Sequence, residues 1–572
     1  MLERFLEQQP AISAALLSRD LRKEGGVNTL MDVDFGDGED IVKLMAPVKL
    51  VTMTMSEDKR PTLSMISPIK AKLKKNFEAS DKDSVVIREM KQAFRNDLEK
   101  RYTGLDDLFY TATALDPQFK SLPFLSDHDA ERTFTSISAE AVSLHKKKRT
   151  VGQMRNLWRL LLSVQPSRGL VDEKFSVRVQ NAPPAHPLTM HALLHSEDGD
   201  TWEAFGHYVT DAGGDVNVTK DPSLGGTYVG VEPMGLLWSQ RLVPGSRPGL
   251  RFRKQDVQTP IQVRLSVYQG HQSEGFMDQA MLASVMVERW YMAPGVRRVG
   301  FTEGGLHATL FLPPGPGPFP GLLDLWGGGG GLVEYRSALL ASHGFASLAL
   351  DYMKPAEVKN EYFEDAYRVL QQHPQVCRRR IGLVGLCFGS SMALKTIYSN
   401  VIQPRCLVCL SATHIQPVGG TIADFFDEVE KNLKKSHYND ENQVIWRNVL
   451  LPIPTDTSKK VDVGRLQCPL LLVVGEDDQS WPVPESADDM REMMERAGNS
   501  HLLTVLSYPR AGHLIEPPYS PHCRASKFIK PTSQRKLMML WGGEVAPHSH
   551  AQEDAWRKML DFLKENLYCS AD

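Results

Sequence analysis

The chain has 572 residues, of which 42% are hydrophobic and 24% charged, and its 66 basic and 69 acidic side chains leave a formal net charge of −3. That length predicts roughly three domains of about 100–200 residues each. The composition excludes a wholly disordered chain, a collagen and a coiled coil, and the charge balance argues against a dedicated nucleic-acid binder, whose footprint is strongly basic.

No apolar run reaches the roughly 18 residues of a membrane span. Met1-Leu2-Glu3-Arg4-Phe5 lacks the basic start and apolar stretch of a signal peptide. Cys569-Ser570-Ala571-Asp572 is neither a peroxisomal nor an endoplasmic-reticulum address. The expectation is a cytoplasmic protein. All seven cysteines lie between Cys377 and Cys569; their odd number and the size of the chain predict reduced thiols rather than a disulfide scaffold.

In chain order, residues 1–150 form a first segment. Val85–Tyr102 has Val86, Met90, Phe94 and Leu98 at helical spacing. Leu105–Leu125 contains a short apolar strand candidate ending in Leu115-Asp116-Pro117. The basic run Lys146-Lys147-Lys148-Arg149 reads as a solvated linker, with nuclear targeting or a phosphate contact as the alternative. Residues 160–298 look all-β. Phe175–Val179 and Ile261–Val267 alternate at period two, and turn clusters such as Asp211-Ala212-Gly213-Gly214 separate such runs, the pattern of a β-sandwich. Residues 299–572 alternate strand and helix: Gly321–Trp326, Ala346–Leu350, Ile381–Leu386, Cys406–Leu410 and Pro469–Val474 are apolar strands with helical segments between them. That is the pattern of a parallel sheet covered on both faces.

The chemistry centres on Gly385-Leu386-Cys387-Phe388-Gly389, between an apolar strand and a helix. This is the nucleophile-elbow pattern with Cys in place of Ser, and a helix N-terminus favours a thiolate. A nucleophile needs a base and a group that orients the base. In hydrolase chain order the acid comes next. Gly475-Glu476-Asp477-Asp478 ends a strand and supplies Asp478, with Asp477 as the competitor. His513 follows in Ala511-Gly512-His513. An oxyanion hole would take the Phe388 N–H and donors from the loop Gly327–Gly331, with Gly328 and Gly329 as candidates. That loop lacks the Lys and Ser/Thr of a phosphate-binding loop. Cys406 and Cys409 have CxxC spacing but lie in an apolar strand, so both read as core. His548-Ser549-His550 reads as a polar turn, and no second Cys/His pair completes a metal site.

On these residues the chain from about 165 to 570 resembles the acyl-CoA thioesterase and bile acid-CoA:amino acid N-acyltransferase family. The matching stretches include Pro166–Glu173, Glu232–Trp238, Phe311–Pro314, Gly328–Tyr335, the elbow, Ala511–Tyr519 and Trp541–Glu544. The resemblance implies an Ig-like β-sandwich followed by an α/β-hydrolase domain, with Cys387, Asp478 and His513 as the triad. It implies acyl-CoA as substrate, no separate cofactor and no metal. Cys at the elbow marks the amino-acid-conjugating branch, so glycine or taurine joins water as a possible acceptor. The first 150 residues resemble something unrelated. Asp32–Asp40, Pro61–Ser64 and Ala114–Lys120 are similar to the RNase H-like region of hAT-type transposases, which implies a non-catalytic fragment. The alternative function is then a transposase-derived nuclear or interaction protein. Oligomeric state is not legible in the sequence.

Overall fold

The computed structural model describes residues 32–55, 63–101, 104–116, 119, 121–141, 160–301, 305–328, 331–353, 360–529 and 536–568. The basic run 146–149, Gly329, Pro61-Thr62, Pro117-Gln118, Lys120 and the last four residues lie outside the described residues. The chain divides into two compact units, Met1–Thr150 and Val151–Asp572.

In the first unit the described residues form helices α1 (Asp32–Met55), α2 (Ile66–Asn76), α3 (Val85–Arg101), α4 (Asp106–Leu115) and a fifth, α5, over 127–141. A small core gathers Leu44, Leu73, Phe77 and Ile87, with Met90, Phe94 and Leu98 packed against it. The buried stripe of α3 therefore starts at Ile87, and Val86 stays 43% exposed. Ile87, three residues before Met90 and seven before Phe94, lies near the middle of this stripe, and Val86 lies at its edge. The strand expected in Leu105–Leu125 is instead α4. Acidic Asp106 and Asp107 in its first turn suit a helix N-terminus. No strand occurs among the described residues of this unit, so the sheet of an RNase H-like fold is not among them. Two of the motifs that carry the transposase resemblance meet here: the Ser64 hydroxyl donates to Asp116 at 2.7 Å.

The second unit begins with strands β1 (Leu161–Gln165), β2 (Arg168–Leu170), β3 (Ser176–Gln180), β4 (Pro187–His195), β5 (Thr201–Val209), β6 (Val216–Asn217), β7 (Arg241–Leu242), β8 (Ile261–Gln269) and β9 (Ala283–Trp290). They form a three-stranded sheet, β1-β3-β6, and a six-stranded sheet, β2-β9-β8-β4-β5-β7. Val177 and Val179 from the first and Met190, Ala192, Leu265 and Val267 from the second share one buried core, as alternation along each strand requires.

Strands β10 (Arg297–Phe301), β11 (Ala308–Leu312), β12 (Phe319–Leu325), β13 (Ala346–Leu350), β14 (Val376–Leu386), β15 (Leu407–Leu410), β18 (Leu470–Gly475) and β19 (Leu503–Tyr508) build an eight-stranded sheet. Its order is β10-β11-β13-β12-β14-β15-β18-β19. Only β11 runs against its neighbours. Counted within the sheet, this is 1-2-4-3-5-6-7-8, the α/β-hydrolase arrangement. Leu470 and Leu472 face one core, Leu471 and Val473 the other. The first core takes side chains from α7 (Asn360–Gln372), α8 (Phe388–Lys395) and α10 (Val483–Ala497). The second takes them from α6 (Tyr335–Ser342) and α11 (Val545–Leu567). Between β15 and β18 lies α9 (Ile422–Asn432). A separate four-stranded sheet, of β16 (His437–Tyr438), β17 (Val444–Ile445), β20 (Ala525–Ile529) and β21 (Lys536–Leu540), was not legible in the sequence.

Candidate active site

Cys387 stands between β14 and α8 with φ 56° and ψ −126°. A non-glycine residue with positive φ is strained, and such strain concentrates at functional sites. The flanking glycines permit the turn. A Cβ on Gly385 would lie 2.5 Å from Ser390 Cα, and one on Gly389 would lie 2.1 Å from the Leu325 carbonyl oxygen. The Cys387 N–H donates to the Leu410 carbonyl at 2.9 Å, which ties the turn to β15.

The acid is decided between two adjacent carboxylates. Asp478 is fully buried, and its Oδ2 lies 2.6 Å from His513 Nδ1. Its Oδ1 accepts from the backbone N–H groups of Ser480 and Trp481, both at 2.8 Å. Asp477 turns away. It accepts from the Gln479 amide at 2.7 Å and from the Gly543 N–H at 2.8 Å, and so pins the Trp541-Gly542-Gly543 loop.

His513 is held on every side. Its N–H donates to the Trp541 carbonyl at 2.9 Å, and its carbonyl accepts from the Ser411 hydroxyl at 2.6 Å. The Trp541 ring stacks on the imidazole at 5.6 Å between centroids. His548 Nδ1 accepts from the Gly512 N–H at 3.0 Å, and His548 Nε2 lies 2.9 Å from the Leu514 carbonyl, so one imidazole clamps the residues on both sides of His513. The expected polar turn at His548–His550 instead lies within the first two turns of α11. Burial pushes the His548 ring down to about 4, which keeps it neutral and able to accept and donate at once. Read as a polar turn, His548 carried no sign of this clamp in the sequence.

Nε2 of His513 makes no hydrogen bond to any described residue; it is coupled to the Cys387 sulfur through charge. Burial disfavours an imidazolium there, yet the Asp478 carboxylate and the Cys387 sulfur together raise His513 to about 10. Burial likewise disfavours the thiolate. The positive charge of His513, the Trp481 indole N–H and the Phe388 N–H outweigh it and hold Cys387 below the ordinary thiol range. The Trp481 indole N–H lies 3.1 Å from the sulfur, a contact that sequence reasoning missed. The other cysteines of the sheet behave oppositely: burial pushes Cys406 and Cys409 far up, as core thiols.

The glycine loop after β12 lies beside the sulfur. A Cβ on Gly327 would lie 3.0 Å from Cys387 Cβ, and one on Gly328 would lie 3.8 Å from Phe388 Cβ. The loop is anchored by a buried ion pair. Asp324 accepts from Arg336 Nε at 2.8 Å and from the Ser337 hydroxyl at 2.7 Å, and the Arg336 guanidinium covers the Trp326 ring at 4.8 Å. A cavity of about 330 Å³ opens over Cys387 and His513. Trp326, Phe426, Trp446, Trp481, Phe528 and Met539 give it a mainly apolar wall, with Arg251, Arg253 and Lys527 among the polar members. Among the described residues, no group of three or more His, Cys, Asp or Glu side chains is placed to hold a metal ion.

Two family models match this chain. Residues 172–303 match "Acyl-CoA thioester hydrolase/BAAT N-terminal region", and residues 358–569 match "BAAT / Acyl-CoA thioester hydrolase C terminal". The mouse peroxisomal succinyl-coenzyme A thioesterase is 37% identical over 429 residues, covering 71% of this chain and 96% of that protein. The chain belongs to the BAAT/acyl-CoA thioester hydrolase family. Mouse mitochondrial acyl-coenzyme A thioesterase 2 is 37% identical over 422 residues, covering 71% of this chain and 89% of that protein. Mouse bile acid-CoA:amino acid N-acyltransferase is 34% identical over 419 residues, covering 71% and 97%. Both hydrolysing and transferring relatives thus align along nearly their whole length.

Proposed function

We propose that this protein cleaves acyl-CoA thioesters with Cys387 as nucleophile, His513 as acid and base, and Asp478 as its orienting partner. The Cys387 thiolate attacks the thioester carbonyl. The oxyanion that forms takes hydrogen bonds from the Phe388 N–H and from the loop of Gly328 and Gly329. Collapse expels the CoA thiolate, which takes the proton from His513 Nε2, and leaves an acyl-Cys387 thioester. Neutral His513 then removes a proton from the second nucleophile as it attacks the acyl carbon. Collapse breaks the acyl–sulfur bond and returns the Cys387 thiolate beside the His513 imidazolium. Water yields a free acid, and an amine yields an amide. A thioester intermediate reacts well with amines, so Cys in place of Ser supports transfer to an amino acid such as glycine or taurine alongside hydrolysis. CoA enters as part of the substrate, and the chemistry calls for no further cofactor.

The observation that carries this reading is the buried Asp478–His513 pair beside a strained Cys387 at the floor of one cavity. The two-sheet unit ahead of the hydrolase supports the Ig-like assignment. No proposed catalytic group lies in residues 1–150, which are read as a transposase-derived fragment, and the setting is read as cytoplasmic. The test is CoA release from acyl-CoA with and without glycine or taurine, for the native protein and Cys387→Ala. Release that persists unchanged in Cys387→Ala refutes the mechanism.

A further inference from the structure

The segment between β7 and β8 brings Gly249, Leu250, Arg251 and Arg253 to the reaction cavity. Phe252 packs against the sandwich core, edge-on to Trp202 at 5.9 Å. Arg251 and Arg253, one residue to either side, line the cavity over Cys387. Besides the catalytic His513, the cavity lining holds three cationic side chains, Arg251, Arg253 and Lys527, and no carboxylate. Arg251 is already neutralised by Glu516, which also accepts from the Tyr335 hydroxyl at 2.6 Å.

Arg253 has no such partner: among the described residues no carboxylate stands within ion-pair distance of it. The groups that feel its charge are Arg251, Tyr335, Glu516 and Cys523. The Arg251 charge first, and burial second, make protonation of Arg253 harder than usual, but a guanidinium stays charged under working conditions. Arg253 is only partly buried, so its guanidinium is open to an anion entering the cavity, where a charge-assisted contact forms. Guanidinium geometry favours planar or tripodal oxyanions held by two donors.

We infer that Arg253 is an anion subsite of the reaction cavity, taking a carboxylate or sulfonate carried by one of the reacting groups. The inference builds on the acyl-CoA reading and makes Arg253 a specificity-determining residue within it. The anion has two sources, the far end of a dicarboxylic acyl chain or the acid group of an amino-acid acceptor.

The experiment compares the native protein, Arg253→Met and Arg253→Lys. One arm measures CoA release from glutaryl-CoA and from uncharged pentanoyl-CoA. The other measures aminolysis of one acyl-CoA by glycine and by glycinamide. A charge-assisted contact predicts a loss of roughly tenfold to a hundredfold in one ratio for Arg253→Met, with partial recovery in Arg253→Lys. A fall in the glutaryl-to-pentanoyl ratio assigns the anion to the acyl chain. A fall in the glycine-to-glycinamide ratio assigns it to the acceptor. Both ratios unchanged, or a uniform loss across all substrates, overturns the subsite. If the native protein releases no CoA from any thioester, the functional reading fails, and the subsite is still judged by binding. Glutarate and taurine should then quench the cavity tryptophans of the native protein and of Arg253→Lys but not of Arg253→Met. No quenching in any of the three overturns it.

Discussion

Asp478→Asn separates the proposed mechanism from a merely structural carboxylate. The Oδ1 position of residue 478 must accept two backbone N–H groups, from Ser480 and Trp481 at 2.8 Å each. Asparagine meets that demand only with its carbonyl there, which aims its NH₂ at His513 Nδ1, 2.6 Å away in the native pair. A donor facing Nδ1 forces that nitrogen to accept, so the ring proton moves to Nε2, the atom that must take protons. The negative charge that holds His513 near 10 is lost as well. In a serine triad the equivalent change costs about 10⁴ in turnover. Because the nucleophile here is a thiol, more acidic than a serine hydroxyl and lowered further in its site, about 10³–10⁴ is expected, or roughly 4–5.5 kcal/mol at 1.36 kcal/mol per factor of ten. The assay is steady-state CoA release, with thermal unfolding monitored alongside. Asp477→Asn serves as the comparison and should stay within about tenfold, because Asp477 holds Gln479, Arg524 and the Gly543 N–H but makes no hydrogen bond to His513. Retention of CoA release within about tenfold in a folded Asp478→Asn protein would refute the triad.

Cys387→Ser replaces the thioester intermediate by an oxyester, so the ratio of amide to free acid formed in the presence of glycine should fall; an unchanged ratio contradicts the argument that sulfur favours transfer. Cys387 is lowered and His513 raised, so the proposed thiolate–imidazolium pair predicts that iodoacetamide inactivation is already fast at pH 6–7. An inactivation rate that still climbs steeply through the ordinary thiol range near pH 8.5 contradicts the pair. The linked stability has a defined sign: His513 is raised above its unfolded value of about 6.5, so its contribution is complete below pH 6.5 and fades as pH rises towards 10. His548 is depressed, so its share is present above pH 6.5 and is lost as pH falls towards 4. Melting temperatures of His548→Ala should therefore vary less between pH 4 and 6.5 than those of the native protein. A chain lacking residues 1–150 should keep its CoA-release rate, since every proposed catalytic group lies beyond them; a large loss in a folded truncation refutes that division.

The hydrolase core was legible because its signals are local. The Gly385–Gly389 elbow, the apolar strands and the chain order of acid and histidine each follow from residues close together in sequence. The choice between Asp477 and Asp478 was harder. It depends on which carboxylate receives the Ser480 and Trp481 N–H groups, a matter of loop geometry one residue long. The Trp481 contact to sulfur, the His548 clamp and the approach of Arg253 to the cavity join residues far apart in the chain, and no periodicity reports them. The N-terminal unit misled for another reason. In Leu105–Leu115 an apolar run too short to show its period fits strand or helix equally, and packing of Thr113 against the Ser64 carbonyl at 2.9 Å accompanies the helix.

The central claim is a covalent acyl-Cys387 intermediate, and intact-mass analysis of rapidly quenched reactions with acyl-CoA tests it most directly. The native protein should gain one acyl mass, sensitive to hydroxylamine and located on the Cys387 peptide, and Cys387→Ala should gain none. Turnover with no adduct under any quench time, or an adduct on another residue that persists in Cys387→Ala, would contradict the account.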